Sequence, residues 1–162
     1  MMEFFTALRK LLKGEVRLDL DSGVMEYRGG RIVAAPASSL LALVSELRNL
    51  VGDSAVILVE RLGYALGKST RESMGWNTPK EALEGLREVA KFGGYGIVEI
   101  HGDVVEMKNA PVSNFIEDPV LQEYVARYLN GFFRGLCIEP LNVEFRVKEK
   151  SIRVKYRFEE CR

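Results

Sequence analysis

His101 is the only histidine in the chain, and it sits in His101-Gly102-Asp103. Ser-His-Asp chemistry would rest on it alone, and no Gly-x-Ser-x-Gly elbow presents a serine to it. Its setting reads as a hairpin tip, so His101 is either a solvated turn residue or one polar group of a pocket. Two cysteines, Cys137 and Cys161, make neither a disulfide framework nor a zinc cage; Cys137 reads as a buried apolar cysteine and Cys161 as a tail thiol. Gly93-Gly94-Tyr95-Gly96 has the glycines of a phosphate loop. It follows a helix and precedes a strand, the reverse of the order a phosphate site needs, and so reads as a helix C-cap. The aromatic residues carry more. Tyr124, Tyr128 and Phe132 recur at i, i+4 and i+8, on one stripe of a helix, and Trp76 lies in a loop before a helix. Such a stripe is either plain core or the wall of an apolar pocket with phenolic hydroxyls as polar handles.

Charge narrows the classes further. The 162 residues hold 23 Lys plus Arg and 23 Asp plus Glu, a formal net charge of zero. A chain whose main partner is nucleic acid carries a cationic excess, so direct nucleic-acid binding is not expected. Arg146, Lys148, Lys150, Arg153, Lys155 and Arg157 form a basic run on the last hairpin, but Glu144, Glu149, Glu159 and Glu160 offset it. The run reads as a solvated strand face that also discourages edge-to-edge pairing. No secretory leader and no apolar run of the roughly 20 residues needed to cross a bilayer is recognisable. The expectation is a cytoplasmic chain, folded as a single domain over 1–162 with residues 1–14 as a short helical extension.

These residues need a scaffold. Phe4 to Lys13 reads as an amphipathic helix ended by Gly14. Short strands follow at Val16–Leu20, Val24–Tyr27 and Arg31–Ala34. Three helices come next. The first is capped by Ser38 or Ser39 and ends at Gly52, and the second runs from about Ser54 to Ser73. Gly63 and Gly67 share one face of that second helix, where something must approach closely, since each costs about 1 kcal/mol against alanine. Thr78-Pro79-Lys80-Glu81 is a capping box with proline at the first helical position and starts the third helix. Strands are expected at Tyr95–Ile100 and Val104–Met107, a helix capped by Asp118 from Pro119 to about Leu136, and a hairpin of Leu141–Lys148 with Ile152–Phe158. The period-2 alternation of that hairpin puts Val143, Phe145 and Val147 on a core face. The sum is an α+β fold, an antiparallel sheet packed on one side by a helical layer.

Gly30-Arg31-Ile32-Val33, Leu58 to Gly67 with its paired glycines, Gly94-Tyr95-Gly96-Ile97-Val98, and Val125-Ala126-Arg127-Tyr128-Leu129-Asn130-Gly131-Phe132-Phe133 stand in an order that resembles the 4-vinyl reductase-like domain family. That family shares the NO-signalling and Golgi-transport ligand-binding fold with transport-particle subunits, and the resemblance covers nearly the whole chain from about Val16. It implies a small-molecule-binding domain with a pocket between helices and sheet, here drawing on Trp76, Ile100, His101, Tyr124, Tyr128 and Phe145, and commonly a homodimer. Zinc-bearing members hold the metal with cysteines on the last long helix and the terminal hairpin. The corresponding positions here are Gln122, Phe145, Lys148 and Tyr156, none a thiolate, so no metal is expected there. No cofactor is implied.

Two functions of different class follow. One is a non-enzymatic module that binds or senses a small hydrophobic or aromatic ligand and reports to a regulatory protein partner. The other is a protein–protein assembly module whose pocket is filled. A reductase is suggested by the family's name alone, and no nicotinamide or flavin fingerprint accompanies it. No catalytic residues are therefore expected.

Overall fold

The computed structural model describes residues 16–19, 21, 24–27, 30–31, 37–92, 96–111 and 117–160. The expected helix at 4–13 lies outside them. The chain divides into two compact units, Met1–Ala35 and Pro36–Arg162. In the first unit, β1 (Val16–Asp19), β2 (Val24–Tyr27) and β3 (Gly30–Arg31) form an antiparallel meander in that order.

The second unit is an α+β layer structure. Helices α1 (Ala37–Val51) and α2 (Ala55–Ser73) are joined by a 3-10 turn at Gly52–Ser54, where Gly52 takes φ +60°. Helix α1 starts at Ala37, so Ser38 and Ser39 fall inside its first turn rather than before it. Helix α3 (Pro79–Phe92) begins with the expected capping box. Glu81 N–H donates to Thr78 Oγ1 at 3.2 Å, and the Thr78 amide donates back to Glu81 Oε2 at 3.3 Å. Helix α4 (Pro119–Gly135) is capped by Asp118, whose Oδ1 accepts from the Val120 amide at 2.8 Å. Each cap satisfies donors that the first helical turn leaves without an intrahelical partner.

The sheet is built from β4 (Ile97–His101), β5 (Val104–Lys108), β6 (Ile138–Arg146) and β7 (Ser151–Phe158), antiparallel throughout in the order β4-β5-β7-β6. Its inner face carries Val98, Val105, Ile152 and Val154. These pack in one core with Leu83 of α3 and with Leu129, Phe133 and Leu136 at the sheet side of α4. A second, smaller core joins Val44 of α1 to Ala55 and Val59 of α2 and Tyr124 of α4. Tyr128 packs against both cores.

Strand β6 begins at Ile138, three residues before the hairpin expected at Leu141. Cys137 takes φ +62° and turns the chain straight from helix into strand, a left-handed position usually given to glycine. Between Pro140, opposite Tyr156, and Asn142, opposite Lys155, β6 holds one extra residue. The bulge switches the parity of the strand: Ile138 and Pro140 lie on the inner side before it, Val143 and Phe145 after it, and Leu141 is left exposed. Val147, expected on the core face, lies in the β6–β7 turn and is exposed, since the strand stops at Arg146. Phe158 is also exposed and rests its ring against Tyr156.

The close approach expected at Gly63 and Gly67 is a helix crossing. They face the backbone of α4 at Tyr128 and Phe132, and Gly131 and Gly135 of α4 face the backbone of α2 in turn. A methyl group on Gly131 would stand 2.8 Å from the Tyr64 amide nitrogen and 2.9 Å from the Glu60 carbonyl carbon. One on Gly67 would stand 2.9 Å from the Phe132 carbonyl carbon. The two backbones touch, and no side chain can be inserted without moving a helix. Beside the crossing, Arg134 donates to Glu60 at 2.9 Å and holds Glu139 with two bonds at 2.9 and 3.0 Å. The Glu139 carboxyl is held below its ordinary range chiefly by that Arg134 fork.

Gly131→Ala is expected to lose at least the ~1–3 kcal/mol typical of overpacking a tight core. A Cβ on Gly52 meets nothing within 4 Å, so Gly52→Ala carries only the strain of its positive φ, about 1 kcal/mol. Urea unfolding of the two variants checks the order; equal losses would mean that the crossing tolerates a methyl.

Candidate functional site

The side chains at the boundary between helices and sheet are aromatic and aliphatic, and several are only half-buried. Trp76, Ile100, Tyr128, Phe132 and Phe145 all pack against the main core without being sealed inside it. Their positions follow from the elements described above. Ile100 and Phe145 point inward by strand alternation. Tyr128 and Phe132 lie one turn apart on α4, with rings stacked at 6.0 Å and 17°. Phe133 meets Phe132 edge-on at 6.2 Å and is fully buried.

Trp76 reaches the site from the α2–α3 loop. Its amide donates to the Arg71 carbonyl at 3.0 Å, after Gly75 turns the chain at φ +67°. The indole then lies against α3 at Gly85, where a Cβ would stand 2.5 Å from its Nε1. Gly85 is therefore the seat of the indole. A glycine in the middle of an otherwise regular helix is the sequence signal for that seat.

Of the six residues expected at the site, Trp76, Ile100, Tyr128 and Phe145 are brought to this boundary. Tyr124 sits one turn before Tyr128 on the same stripe but is buried in the smaller core, between α1, α2 and α4. His101 is elsewhere. It lies at the end of β4 with its side chain 55% exposed, and its Nε2 is 3.2 Å from Glu99 Oε2. Residues 99 and 101 share the outer face of the strand, while Ile100 between them points inward; strand alternation puts His101 and Ile100 on opposite sides of the sheet.

The outer face holds its own polar group. Glu99 and Glu106 are cross-strand partners, and Glu99, His101 and Glu106 bring ligand-type atoms within 4.8 Å of one another. Lys108 Nζ lies in the same place, 2.8 Å from Glu99 Oε2 and 3.9 Å from Glu106 Oε2. Ser151 Oγ donates to the buried Glu106 at 3.1 Å. Two carboxylates facing each other across a ladder repel, and the lysine ammonium is the cation that offsets this. The Lys108 hydrogen bond, with His101 second, holds the Glu99 carboxyl below its ordinary range; the same bond raises Lys108.

The positions matched to a zinc site do not converge. Phe145 pairs with Ile152 and Tyr156 with Pro140, so the two lie four β7 residues apart, roughly 13 Å along the sheet. Tyr156 instead donates its hydroxyl to the Gly102 carbonyl at 2.9 Å and ties the β4–β5 turn to β7; burial pushes its phenol up. Cys137 differs from the expectation of a plain apolar cysteine. It is buried but disulfide-bonded, and the Arg71 guanidinium donates to its sulfur. Cys161 lies outside the described residues. On the surface, a shallow concavity of 420 Å3 sits at the β6–β7 turn, lined by Glu144, Arg146, Val147, Lys148 and Glu149. It is away from the aromatic boundary and lined mostly by charge. Among the described residues no helix is long and apolar enough to cross a membrane.

The Glu99–Lys108 pair makes a pH prediction with a definite sign. Glu99 is depressed in the folded state, so its contribution is present above the ordinary glutamate value and is lost as pH falls through the depressed one. Lys108 is raised, so its contribution is present below the ordinary lysine value and is lost as pH climbs through the raised one. An NMR titration should place the Glu99 midpoint below that of an exposed glutamate, and Lys108→Ala should return it upward. A Glu99 midpoint that ignores the substitution would contradict the pairing.

No protein-family description matches the chain, and no curated protein matches it. Solved structures do. The phenol-responsive sensory domain of the transcription activator PoxR, crystallised with phenol, superposes with a TM-score of 0.58 over 92% of this chain and 87% of its own, at 16% identity. A trafficking protein particle complex subunit 3 from Naegleria fowleri, covalently bound to palmitic acid, gives a TM-score of 0.47 over 76% of this chain and 93% of its own, at 15% identity. At such identities a likeness speaks for architecture alone: the chain is an α+β protein with the fold of the PoxR sensory domain.

Proposed function

We propose that this chain is a non-enzymatic module that binds a small apolar or aromatic molecule between its helical layer and its sheet. The observation that carries the reading is the half-buried group at that boundary: Trp76, Ile100, Tyr128, Phe132 and Phe145 pack against the main core without being closed into it. Side chains of this kind bind by burial, at about 25 cal/mol per Å2 of apolar surface removed from water. A phenol hydroxyl or indole N–H then fixes orientation, since such a group needs a partner once water is excluded. The solved structure of the same fold is a phenol-responsive domain, which supports a small planar ligand as the first probe. His101 takes no part in this binding, since it belongs to the exposed outer face.

A second reading, an assembly module, has its own support. Most of the exposed large apolar side chains among the described residues lie on α1 and α2. The two readings concern different surfaces and are compatible.

Trp76 is the chain's only tryptophan, which makes its emission a direct reporter of the proposed site. Titration with phenol over the roughly micromolar-to-millimolar range should shift or quench it saturably. Tyr128→Ala should weaken the response by about tenfold or more, a difference of about 1.4 kcal/mol, while the far-UV circular dichroism stays unchanged. Emission indifferent to phenol and to a longer apolar probe such as palmitate would remove the reading. If Tyr128→Ala unfolds the chain, Tyr128 is core, and Phe145→Leu becomes the test variant.

A further inference from the structure

Among the described residues, one group of three metal-ligating side chains converges: Glu99, His101 and Glu106, on the outer face of the sheet. The group stands on paired strands. Glu99 and His101 are two residues apart on β4 and share its outer face, and Glu106 of β5 is the direct cross-strand partner of Glu99. The β4–β5 turn that sets this register is fastened. Gly102 takes φ +61°, and Tyr156 of β7 donates its hydroxyl to the Gly102 carbonyl and its amide to the Asp103 carbonyl, each at 2.9 Å. Ligands on strands are held more precisely than ligands on loops.

The carboxylate of Glu106 is aimed into this group. Glu106 is only 9% exposed. Its Oε1 accepts from Ser151 at 3.1 Å, while its Oε2 takes no hydrogen bond and faces Lys108 Nζ at 3.9 Å. Arg153, its partner on β7, makes no hydrogen bond to it through the buried Nε. A buried carboxylate is stable only with its oxygens engaged. Lys108 shares one positive charge between two carboxylates, bonding Glu99 at 2.8 Å and standing off from Glu106. An ammonium also offers only hydrogens, so it cannot use a lone pair of the His101 ring.

We infer that Glu99, His101 and Glu106 form a site for a divalent cation of the zinc type, with Lys108 as the resident charge that the ion displaces. Two ligands held tetrahedrally at about 2.1 Å from zinc lie roughly 3.4 Å apart. His101 Nε2 and Glu99 Oε2 already stand 3.2 Å apart. All three ligand atoms lie within 4.8 Å of one another, so side-chain movement of about 1–1.5 Å closes the set. An imidazole with two carboxylates suits zinc, whereas magnesium and calcium select oxygen alone. Three protein ligands leave the fourth position to water. Displacing Lys108 costs little. Its side chain is 40% exposed and that of Glu99 37%, such pairs contribute little in water, and the long lysine stem can carry its charge out to solvent. The site shares no residue with the ligand boundary, which lies on the other side of the sheet, so the two proposals succeed or fail separately.

Calorimetric titration of the full, tag-free chain with zinc chloride tests it. The chain is kept oxidised, so that Cys137, held in its disulfide, offers no thiolate. The expected result is one equivalent bound with a dissociation constant of roughly micromolar order, undisturbed by excess magnesium. His101→Ala and Glu99→Gln should each weaken binding by about tenfold or more, and Lys108→Ala should tighten it by about tenfold, since the competing charge is gone. Circular dichroism confirms folding of every variant. Should one misfold, the wild-type NMR spectrum decides, because the ring protons of the only histidine must shift as zinc is added. No saturable binding up to roughly millimolar zinc overturns the proposal. So does binding that ignores His101→Ala or leaves the histidine signals unmoved. A Lys108→Ala chain that binds no more tightly than the wild type overturns the exchange.

Discussion

Two helices in backbone contact set the geometry of the larger unit. Gly63 and Gly67 of α2 face the α4 backbone at Tyr128 and Phe132, and Gly131 and Gly135 of α4 face the α2 backbone, so closely that no Cβ fits at any of the four. Glycine in a helix interior is costly, at roughly 1 kcal/mol each against alanine. The return is proximity. With α2 flush against α4, the opposite side of α4 is free to cover the sheet with Leu129 and Phe133. The Arg134 fork to Glu60 and Glu139 then joins α2, α4 and β6 at one corner.

The crossing also explains the division of the aromatic stripe on α4. Tyr124, Tyr128 and Phe132 share one side of the helix, yet they serve different cores. Tyr124 is enclosed by α1 and α2, Phe132 packs with the sheet-side core, and Tyr128 touches both. Where the two cores meet, Tyr128 stays half-buried, and Trp76 lies on Gly85 against the main core. The chemistry there is burial with few polar handles, and charge is kept to the outer sheet face, where Glu99, Lys108, Glu106 and Ser151 meet.

Local signals in the chain were sufficient wherever one segment decides its own conformation. The Thr78–Glu81 box and the Asp118-Pro119 start marked two helices correctly because a cap depends on residues within one turn. Strand alternation placed Phe145 inward for the same kind of reason. It failed at Val147 and did not foresee Leu141, because a bulge and an early strand end change parity, and neither can be read from the spacing of apolar residues. Likewise the pocket that the family resemblance implies draws on both Ile100 and His101, although neighbours on a strand face opposite ways.

What the sequence alone determined, then, is the inventory: which segments are helix or strand, that the whole is α+β, and that a close approach occurs at Gly63 and Gly67. Those properties follow from propensity, capping and period, which act over a few residues. Only the tertiary structure decided the partners. It set the α2 glycines against the α4 backbone, seated Trp76 on Gly85, put Tyr124 behind the boundary, sent His101 to the outer face, placed Cys137 in a disulfide, and left Leu43, Leu50, Leu58 and Leu66 exposed. The physical reason is that packing is a relation between distant segments. A glycine or leucine carries no mark of what it will meet until the layers have closed.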